Sequence, residues 1–525
     1  MLSVHNTLTN SKQPFEPAHP KVVRIYTCGL TVYAPMHIGH ARTYCFWDVF
    51  RRYLEYQGRH VVGVINYTDI DDRIKGAAGS ADGCLDVAER FAAMFRRDCQ
   101  ALHIKEYAAY TRATDFVDDQ IAHIARLIDL GHAYVVDGEV FYNVGSFAAY
   151  GQLSGKVVED NEVGASGRVG EDVTRKRNPA DFTLWKPSRP GQPAWTTGHP
   201  GWPSGRPGWH IECSAMSTAL LGDRFDVHGG AVDNLFPHHQ NEVAQSQPLC
   251  ANPWVRYWLH PEHLDLRDEA TGKSVKMSKS LGNVVSVPEL LAKHAYDEVR
   301  WWFATTHYRS KLQVPCSDNQ VNWDYVAQAV AGYQRIKRLL AVLRDRIGDP
   351  SDLAAVPGAA YASMRSPETR IPRMRHLYEH GAYAAQTRAF LDEFIGAMDD
   401  DLNGPRASAA IFGYVNALYA AGADQPGDRA SQLAVYRALT RHLWVLGIDD
   451  LDAKLYPELA AETIAATVTA ATSKGGDAVV ERLLALRQAA RQAKDFAKGD
   501  QIRALLVEAG VEIEDSPQGT RWTTR

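Results

Sequence analysis

One stretch of the sequence, TCGLTVYAPMHIGHAR at residues 27–42, sets a cysteine and two histidines among glycines and a proline. Cys28 could be one ligand of a zinc ion. His37 and His40, which frame the HIGH motif with Gly39 between them, could instead bind nucleotide phosphates, because imidazole N–H groups donate to phosphate oxygens and glycine lets the backbone approach closely. For the histidines, a structural role in capping or packing is the alternative.

A second motif with phosphate-binding residue types is KMSKS, residues 276–280. Lys276 and Lys279 could neutralise a departing pyrophosphate, and Ser278 and Ser280 could donate hydrogen bonds to it. Alone, such a pentapeptide is more often a solvated loop. HIGH followed by KMSKS, with an interrupted α/β region between them, is much more specific for nucleotide chemistry.

Further possible zinc ligands lie far from Cys28 in the sequence. Cys213 falls early in a predicted helix, and His238 and Glu242 stand four residues apart, on one face of another. All are acceptable zinc ligands, and His239 competes with His238 for the imidazole position. The separations are too long to indicate a site by themselves, and buried free cysteines are the alternative.

The elements around the HIGH motif explain how it could face a nucleotide. VVRIY (22–26) predicts a strand, residues 40–58 predict an amphipathic helix that ends at Gly58, and HVVGVINYTDI (60–70) predicts a second apolar strand. Strand, loop, helix and strand indicate a parallel βαβ unit. The loop would therefore lie at the carboxyl edge of the sheet, where open α/β sheets bind ligands and where the helix amino terminus favours phosphate.

The pattern of the sequence changes twice after this βαβ unit. Residues 116–205 contain a predicted hairpin that turns at Asp137-Gly138 and a polar stretch at 155–181, and we interpret them as an insertion that splits the α/β domain. After about residue 325 the periodicity is almost wholly helical. An Ala/Thr-rich stretch near 460–477 predicts a linker before a small terminal unit.

Composition bounds the protein's class. The 525 residues are 45% apolar and 23% charged, which is typical of a soluble globular protein. The net charge of −5 gives no bulk signal of nucleic-acid binding, so an RNA-binding surface would have to be local. No apolar run approaches the ~18 residues of a membrane span, and no signal or transit peptide is expected. Seven scattered cysteines without a CxxC pair favour a reducing cytoplasm.

Several motifs in order resemble those of the class I aminoacyl-tRNA synthetases, and within them the cysteinyl-tRNA synthetases. The resemblance covers nearly the whole chain and is carried by the motifs YTCGLTVYAPMHIGHART, NYTDIDDRI, RPGWHIECSAM, FPHHQNEVAQS and KMSKSLGN, and by the tail KDFAKGDQIRALLVEAGVEIED. It implies ATP-dependent activation of L-cysteine and transfer to cysteine tRNA, with Mg²⁺ accompanying ATP. We expect a cytoplasmic monomer.

The resemblance also implies the fold class, which is α/β, with a Rossmann-like parallel-sheet catalytic domain, an α-helical anticodon-binding domain and a small C-terminal domain. The expected segments are 1–115 and 206–265 (catalytic halves), 116–205 (inserted connective domain), 266–325 (KMSKS loop and stem-contact region), 326–460 (helical tRNA-binding bundle) and 478–525 (C-terminal domain).

Roles for single residues follow from the same resemblance. One zinc ion per chain is implied at Cys28, Cys213, His238 and Glu242, and as a soft cation it could take the substrate thiolate, which serine cannot match. That discrimination makes an editing domain unnecessary. The HIGH histidines and the KMSKS lysines are the implied catalytic groups, with Lys279 the first choice for contacting ATP.

Other implied contacts carry simpler alternatives. Thr31, Thr68 and Trp209 are predicted pocket residues, although turn hydroxyls and a core aromatic would look the same, and Asp233 is predicted to face the adenosine or the substrate amino group. The run Asp69, Asp71 and Asp72 favours helix capping over a metal site. The chain departs from the family pattern at Leu30, Ala34, Ala231 and Gln240.

The tail offers a local cationic surface. Arg487, Arg491, Lys494 and Lys498 are spaced to share one helix face that could contact RNA phosphates, although a solvated face is the simpler interpretation. Trp522 could stack on a base or pack. The rival to a tRNA ligase is a ligase that passes activated cysteine to an amino-sugar. Relatives of that kind generally lack the anticodon-binding end.

Overall fold

The structure is a computed structural model. It describes residues 1–74, 82–156, 175–189, 192–250, 253–275, 277, 283–317, 320–348 and 378–448, together with 484, 487, 488, 503, 511–516 and 519–524. Lys276, Ser278, Lys279, Ser280, Arg491, Lys494 and Lys498 lie outside the described residues.

The strands are β1 (Ser3–Asn6), β2 (Ser11–Pro14), β3 (Val22–Thr27), β4 (His60–Tyr67), β5 (Ala109–Arg112), β6 (Ala133–Val136), β7 (Glu139–Tyr142), β8 (Phe182–Lys186), β9 (Trp195–Thr196), β10 (Ser204–Pro207), β11 (Phe225–Gly229), β12 (Val255–Leu259), β13 (Leu264–Asp268), β14 (Ser274–Val275), β15 (Leu312–Ser317), β16 (Gln320–Val321), β17 (Val511–Ser516) and β18 (Gly519–Thr524). The α-helices are α1 (Ile38–Tyr56), α2 (Asp82–Ala101), α3 (Val117–Asp129), α4 (Trp209–Leu221), α5 (Gln240–Ser246), α6 (Val287–Leu291), α7 (Tyr296–Ala304), α8 (Trp323–Ala331), α9 (Tyr333–Ile347), α10 (Ala384–Asp399), α11 (Gly404–Ala420) and α12 (Arg429–Val445).

The central sheet has the order β12-β11-β3-β4-β5, and every neighbouring pair is parallel. The predicted strand–loop–helix–strand unit is therefore confirmed as β3, α1 and β4. Because the strands are parallel, their carboxyl ends meet at one edge. Cys28 follows β3, Thr68 follows β4 and His228 lies near the end of β11, so residues distant in sequence converge there.

A second, antiparallel sheet, β6-β7-β8-β10-β9, lies in the sequence between β5 and β11. The predicted hairpin turn is confirmed, because Val136 pairs with Glu139 and the two turn residues both have positive φ, 51° at Asp137 and 80° at Gly138. The insertion therefore folds as a sheet of its own. The segment boundaries given above stay a prediction.

Further described elements include a four-stranded sheet of order β14-β13-β15-β16 and the helices from α9 to α12. α10 packs on α11 and α9 packs on α12, while α12 also packs on α1. One apolar core runs from Trp47 and Phe50 of α1 to Phe394 of α10 and Leu439 of α12. The helical bundle is thus joined to the helix that carries the HIGH motif.

The predicted cationic face in the tail is wrong at Arg487. This side chain is only 2% exposed, so its guanidinium group is not accessible to RNA phosphates. Helical spacing placed Arg487 correctly on a helical turn but did not indicate which face is covered. Trp522 lies on β18, opposite Ile513 of β17. In the described part of the chain, no helix is both long and apolar enough to cross a bilayer.

Candidate active site

The HIGH motif forms the amino terminus of α1. His37 is the N-cap, and its ring Nδ1 accepts from the backbone N–H groups of Gly39 at 3.1 Å and His40 at 3.3 Å. The His40 Nδ1 accepts in turn from the His37 N–H at 3.5 Å, which completes a capping box. The two rings are stacked with centroids 3.5 Å apart. Both histidines therefore cap the helix, and in the described part of the chain the Nε2 edge of each ring remains unused.

The unused edges are donors. Burial lowers the pKa of His37 to about 4 and the pKa of His40 well below its ordinary value, so both imidazoles are neutral near pH 7. Since each Nδ1 accepts from the backbone, each ring proton lies on Nε2. Two Nε2–H donors thus stand at a helix amino terminus, which is an arrangement suited to phosphate oxygens.

Met277 of KMSKS and the segment that follows the motif pack on HIGH. A Cβ atom added to Gly39 would come within 3.2 Å of the Met277 methyl group and within 3.1 Å of the His37 ring. The Ile38 N–H donates to the Val285 carbonyl at 3.0 Å, and His37 forms a bridge with Ser286. Met277 and the segment after KMSKS are therefore neighbours of the HIGH motif in space, as the proposed joint action of the two motifs on one nucleotide requires.

Cys28, Cys213, His238 and Glu242 come together from four separate segments. The Cys28 Sγ lies 3.7 Å from the Cys213 Sγ and 3.7 Å from Glu242 Oε1, and His238 Nε2 lies 3.1 Å from Glu242 Oε1. All four ligand atoms lie within 4.8 Å of one another, and all four residues are buried. α5 begins at Gln240, later than predicted, and His238 lies in the turn before it.

This donor set fits zinc. With Zn–S bonds of about 2.3 Å and Zn–N or Zn–O bonds of about 2.0–2.2 Å, the edges of a tetrahedron around zinc measure roughly 3.3–3.8 Å. The sulfur–sulfur and sulfur–oxygen separations, both 3.7 Å, fall in this range, and the nitrogen–oxygen separation of 3.1 Å is slightly shorter. Two sulfurs, one imidazole and one carboxylate are also a preferred chemistry for this ion.

In the protein alone, burial favours the protonated forms of the acidic groups in this cluster. Burial raises the pKa of Cys28 well above its ordinary value and that of Cys213 to about 11, and it raises the pKa of Glu242 to about 7. A dication inside the cluster would reverse these shifts, because it favours the thiolate and carboxylate forms.

Three further histidines, which the sequence analysis missed, surround the cluster. His228 Nε2 lies 2.7 Å from Glu242 Oε2, His210 Nδ1 lies 3.0 Å from His238 Nδ1, and His260 Nε2 lies 2.7 Å from His239 Nδ1. Such contacts fix the orientation and tautomer of a ligand. A signal for two of them was their position in the chain, because His228 lies near the carboxyl end of β11, the neighbour of β3, and His260 follows β12, the next strand in the sheet.

His239 remains a competitor for the imidazole position. Its Nε2 lies 3.2 Å from the Cys28 Sγ, and a second set of potential ligands consists of Cys28, His228, His239 and Glu242. The two sets share a sulfur and a carboxylate. His238 stays the prediction because its set offers the second sulfur of Cys213. The ring of Trp209 stacks on His238, with centroids 4.2 Å apart, which brings a predicted pocket residue to the cluster.

The other predicted pocket residues lie at the same edge of the sheet or near it. Thr31 and Thr68 form a parallel bridge, and the Thr68 hydroxyl donates to Glu212 Oε2 at 2.8 Å. The Thr31 hydroxyl accepts from Arg73 Nη2 at 3.0 Å. Asp233 is exposed and pairs with His263 Nδ1 at 2.8 Å. Its predicted substrate contact stays a prediction.

The neighbouring aspartates bind protein groups. Asp69 accepts from the Thr114 N–H and hydroxyl, Asp71 pairs with Arg73, and Asp72 pairs with Arg206. They are in neither ligand set found among the described residues. Asp71 also accepts from the Arg73 N–H at 2.8 Å.

Two of the departures from the family pattern have a local explanation. Gln240 Oε1 accepts from the backbone N–H groups of Leu153 and Ser154, so this amide joins the insertion to α5. Ala231 has a φ of −67°, which needs no glycine. Leu30 is buried, and its carbonyl accepts from the Thr68 N–H at 3.0 Å. Nothing in the structure explains Ala34.

Comparisons with known proteins agree with this arrangement. Residues 14–322 match the family of tRNA synthetases class I (C) catalytic domains, and residues 393–449 match the DALR domain. The chain is 40% identical to a cysteine–tRNA ligase of Alkalilimnicola ehrlichii and 38% identical to one of Thioalkalivibrio sulfidiphilus, with 99% of each chain covered in both comparisons.

Solved structures share the fold at low identity. A LeuRS of Agrobacterium radiobacter K84 matches with a TM-score of 0.55 and 13% identity over 86% of both chains. A methionyl-tRNA synthetase of Mycobacterium tuberculosis matches with a TM-score of 0.51 and 14% identity over 84% of this chain and 93% of that one. The parallel sheet with its HIGH-bearing helix, the following helical domain and the full-length relatives lead to one conclusion: the chain belongs to the cysteine–tRNA ligase family of the class I aminoacyl-tRNA synthetases.

Proposed function

We propose that the protein activates L-cysteine with ATP and transfers it to cysteine tRNA, and that the buried Cys28 cluster selects the amino acid. One observation carries this proposal. A two-sulfur, imidazole and carboxylate cluster lies at the same sheet edge as a capped helix amino terminus with two neutral imidazole donors. An amino-acid site and a nucleotide site thus share the loop between β3 and α1.

The first reaction joins the two substrates. The cysteine carboxylate attacks the α-phosphorus of ATP in line, an O–P bond forms, and pyrophosphate leaves as the bond to its bridging oxygen breaks. His37 and His40 donate their Nε2–H groups to phosphate oxygens as negative charge builds up, and Gly39 allows the close approach. Lys276 and Lys279, with Ser278 and Ser280, bind the departing pyrophosphate with Mg²⁺. The adenylate then acylates a terminal ribose hydroxyl of the tRNA, and AMP leaves.

The second feature is selection of cysteine. Cys28, Cys213, His238 and Glu242 would hold a zinc ion, which when bound could accept the thiolate of the substrate as an additional ligand. The chain's own contribution is rigidity. The α4 helix presents Cys213 and the α5 helix presents Glu242, while His228 orients Glu242 and Trp209 covers His238. Thr31, Thr68 and Asp233 complete the amino-acid and adenosine contacts in this proposal.

Two assays test the reaction. We expect cysteine-dependent exchange of pyrophosphate into ATP, followed by charging of cysteine tRNA in the presence of ATP. Absence of exchange would refute the activation step. Exchange without tRNA charging would instead favour transfer to an amino-sugar. Gel filtration tests the expectation of a monomer, and cell fractionation tests the expectation of a cytoplasmic enzyme.

A matched pair of variants tests the ligand set. Cys213→Ser should lose zinc, measured by elemental analysis of the purified protein, whereas Cys99→Ser should retain it. Both cysteines are 2% exposed, but Cys99 belongs to neither ligand set. Full zinc content in Cys213→Ser would overturn this ligand assignment while leaving the exchange assay to judge the reaction.

A further inference from the structure

Asp401 occupies a position that the proposed chemistry does not use. It lies in the short connection between α10 and α11 and is only 2% exposed. Its Oδ1 accepts from the Tyr308 hydroxyl at 2.7 Å and from the His5 N–H at 2.8 Å, and its Oδ2 accepts from Arg309 Nε at 2.7 Å. A carboxylate of the helical bundle therefore accepts hydrogen bonds from donors in the catalytic half of the chain.

The turn that Asp401 binds is also bound to α1. Arg42, two residues after the HIGH motif, is 4% exposed and donates to four backbone carbonyls. Its Nη2 reaches the Ser310 carbonyl at 2.5 Å and the His307 carbonyl at 3.2 Å. Its Nη1 reaches the carbonyls of residues 262 and 263 at 2.6 and 2.5 Å. Arg42 thus fixes the 307–310 turn to the helix that carries His37 and His40.

Tyr308 connects the two contacts. Its ring stacks on Phe46 of α1 with centroids 4.2 Å apart, while its hydroxyl donates to Asp401. A continuous path of packed groups therefore runs from the α10–α11 connection through the 307–310 turn to α1. Asp401 also has a φ of 59°, a left-handed conformation that only short polar side chains and glycine adopt readily.

We propose that Asp401 is a positioning residue for the transfer of cysteine to tRNA. By fastening the helical bundle to the 307–310 turn, it sets the distance between a tRNA bound on the bundle and the nucleotide site on α1. This inference rests on the proposed function. Activation of cysteine does not need the contact, because the HIGH motif is held by its own cap and by the Val285 and Ser286 backbone.

Asp401→Asn tests the proposal, with Asp400→Asn as its matched control. Asparagine keeps the side-chain shape and tolerates the left-handed backbone, but it lacks the charge that binds Arg309. Asp400 is the next residue along the chain, and it pairs only at the surface, with Lys12 and with Arg406 at 2.9 Å. Unchanged thermal unfolding of both full-length variants would show that they fold.

The expected result is a separation of the two half-reactions. For Asp401→Asn, kcat/KM for tRNA charging should fall about tenfold while cysteine-dependent pyrophosphate exchange stays within about twofold of wild type. Tyr308→Phe, which leaves the net charge of the protein unchanged, should also lower kcat/KM for tRNA charging. Asp400→Asn should match wild type in both assays.

Two outcomes would overturn the inference while wild type remains active. Charging by Asp401→Asn could equal that of Asp400→Asn, or exchange and charging could fall by the same factor, which would indicate a general structural role. A wild-type protein with no cysteine-dependent exchange would instead refute the proposed function, and this inference with it.

Discussion

Asp48 provides the sharpest test of how α1 is held in place. This carboxylate is fully buried and accepts from Arg52 Nε at 2.7 Å, Arg300 Nη2 at 2.7 Å, Arg51 Nη2 at 3.4 Å and the Lys105 N–H at 2.9 Å. Burial alone would raise the pKa of Asp48, but the three guanidinium charges outweigh it and hold this pKa well below its ordinary value. The ionised form of Asp48 therefore stabilises the folded protein.

The magnitude of the loss follows from burial. Arg52 and Arg300 also donate to the carbonyls of Trp444 and Leu446 at the end of α12, so the network joins α1, α7 and the bundle. Asp48→Asn would keep the shape but leave buried guanidinium groups without their counter-charge. Removing one partner of a buried ionic network costs about 3–5 kcal/mol. Because the amide oxygen still accepts one hydrogen bond, we expect a loss near the lower end, about 3 kcal/mol.

Urea unfolding followed by tryptophan fluorescence measures this loss. The exposed control Asp400→Asn should cost at most about 1 kcal/mol. Since the folded pKa of Asp48 is depressed, its contribution is fully present above about pH 4 and declines as the pH falls further, so the difference between wild type and Asp48→Asn should narrow in acid. An Asp48→Asn variant no less stable than the control at pH 7 would refute this reasoning.

Three other predictions concern the site itself. Gly39→Ala should raise the KM for ATP or lower kcat, with a loss of about tenfold in kcat/KM for ATP in pyrophosphate exchange, because its methyl group would crowd the phosphate-facing ring; an unchanged value would contradict this. Zinc affinity should rise between pH 6 and pH 8 by at least about a hundredfold per pH unit, because two thiol protons must leave when zinc binds. Both thiols hold their protons in this range, since the Cys213 pKa is about 11 and the Cys28 pKa is also raised. Competition with a chelator measures the zinc affinity, and a slope below about tenfold per pH unit would count against this ligand set. Thr68→Val should destabilise the protein by about 1–3 kcal/mol in thermal unfolding, since it removes the hydroxyl that donates to buried Glu212, and an unshifted unfolding curve would contradict it.

Local patterns in the sequence predicted the local structure well. The β3–α1–β4 unit follows from alternating strand and helix periodicity, and the Asp137-Gly138 turn follows from the positive φ that its residues accept. The position of His37 at a helix start was also predictable. In each of these cases the cause lies within a few residues of the feature.

Features that depend on sheet order were not predictable in the same way. Cys28, which follows β3, meets Glu242, which lies in the segment after β11, because β11 lies beside β3, an adjacency that no local pattern encodes. For the same reason, the zinc ligands were predicted from the family resemblance and not from local patterns. Arg487 failed as a surface residue because helical spacing defines a face but not what covers it.

The most direct test of the central claim is the absorption spectrum of the protein with Co²⁺ in place of zinc. If the Cys28 cluster holds the ion that recognises cysteine, L-cysteine should intensify the sulfur-to-cobalt charge-transfer band, whereas L-serine should leave it unchanged. The sulfur bands of the protein ligands themselves should weaken in Cys213→Ser. Identical spectra with and without L-cysteine would contradict recognition of the substrate thiol at this cluster.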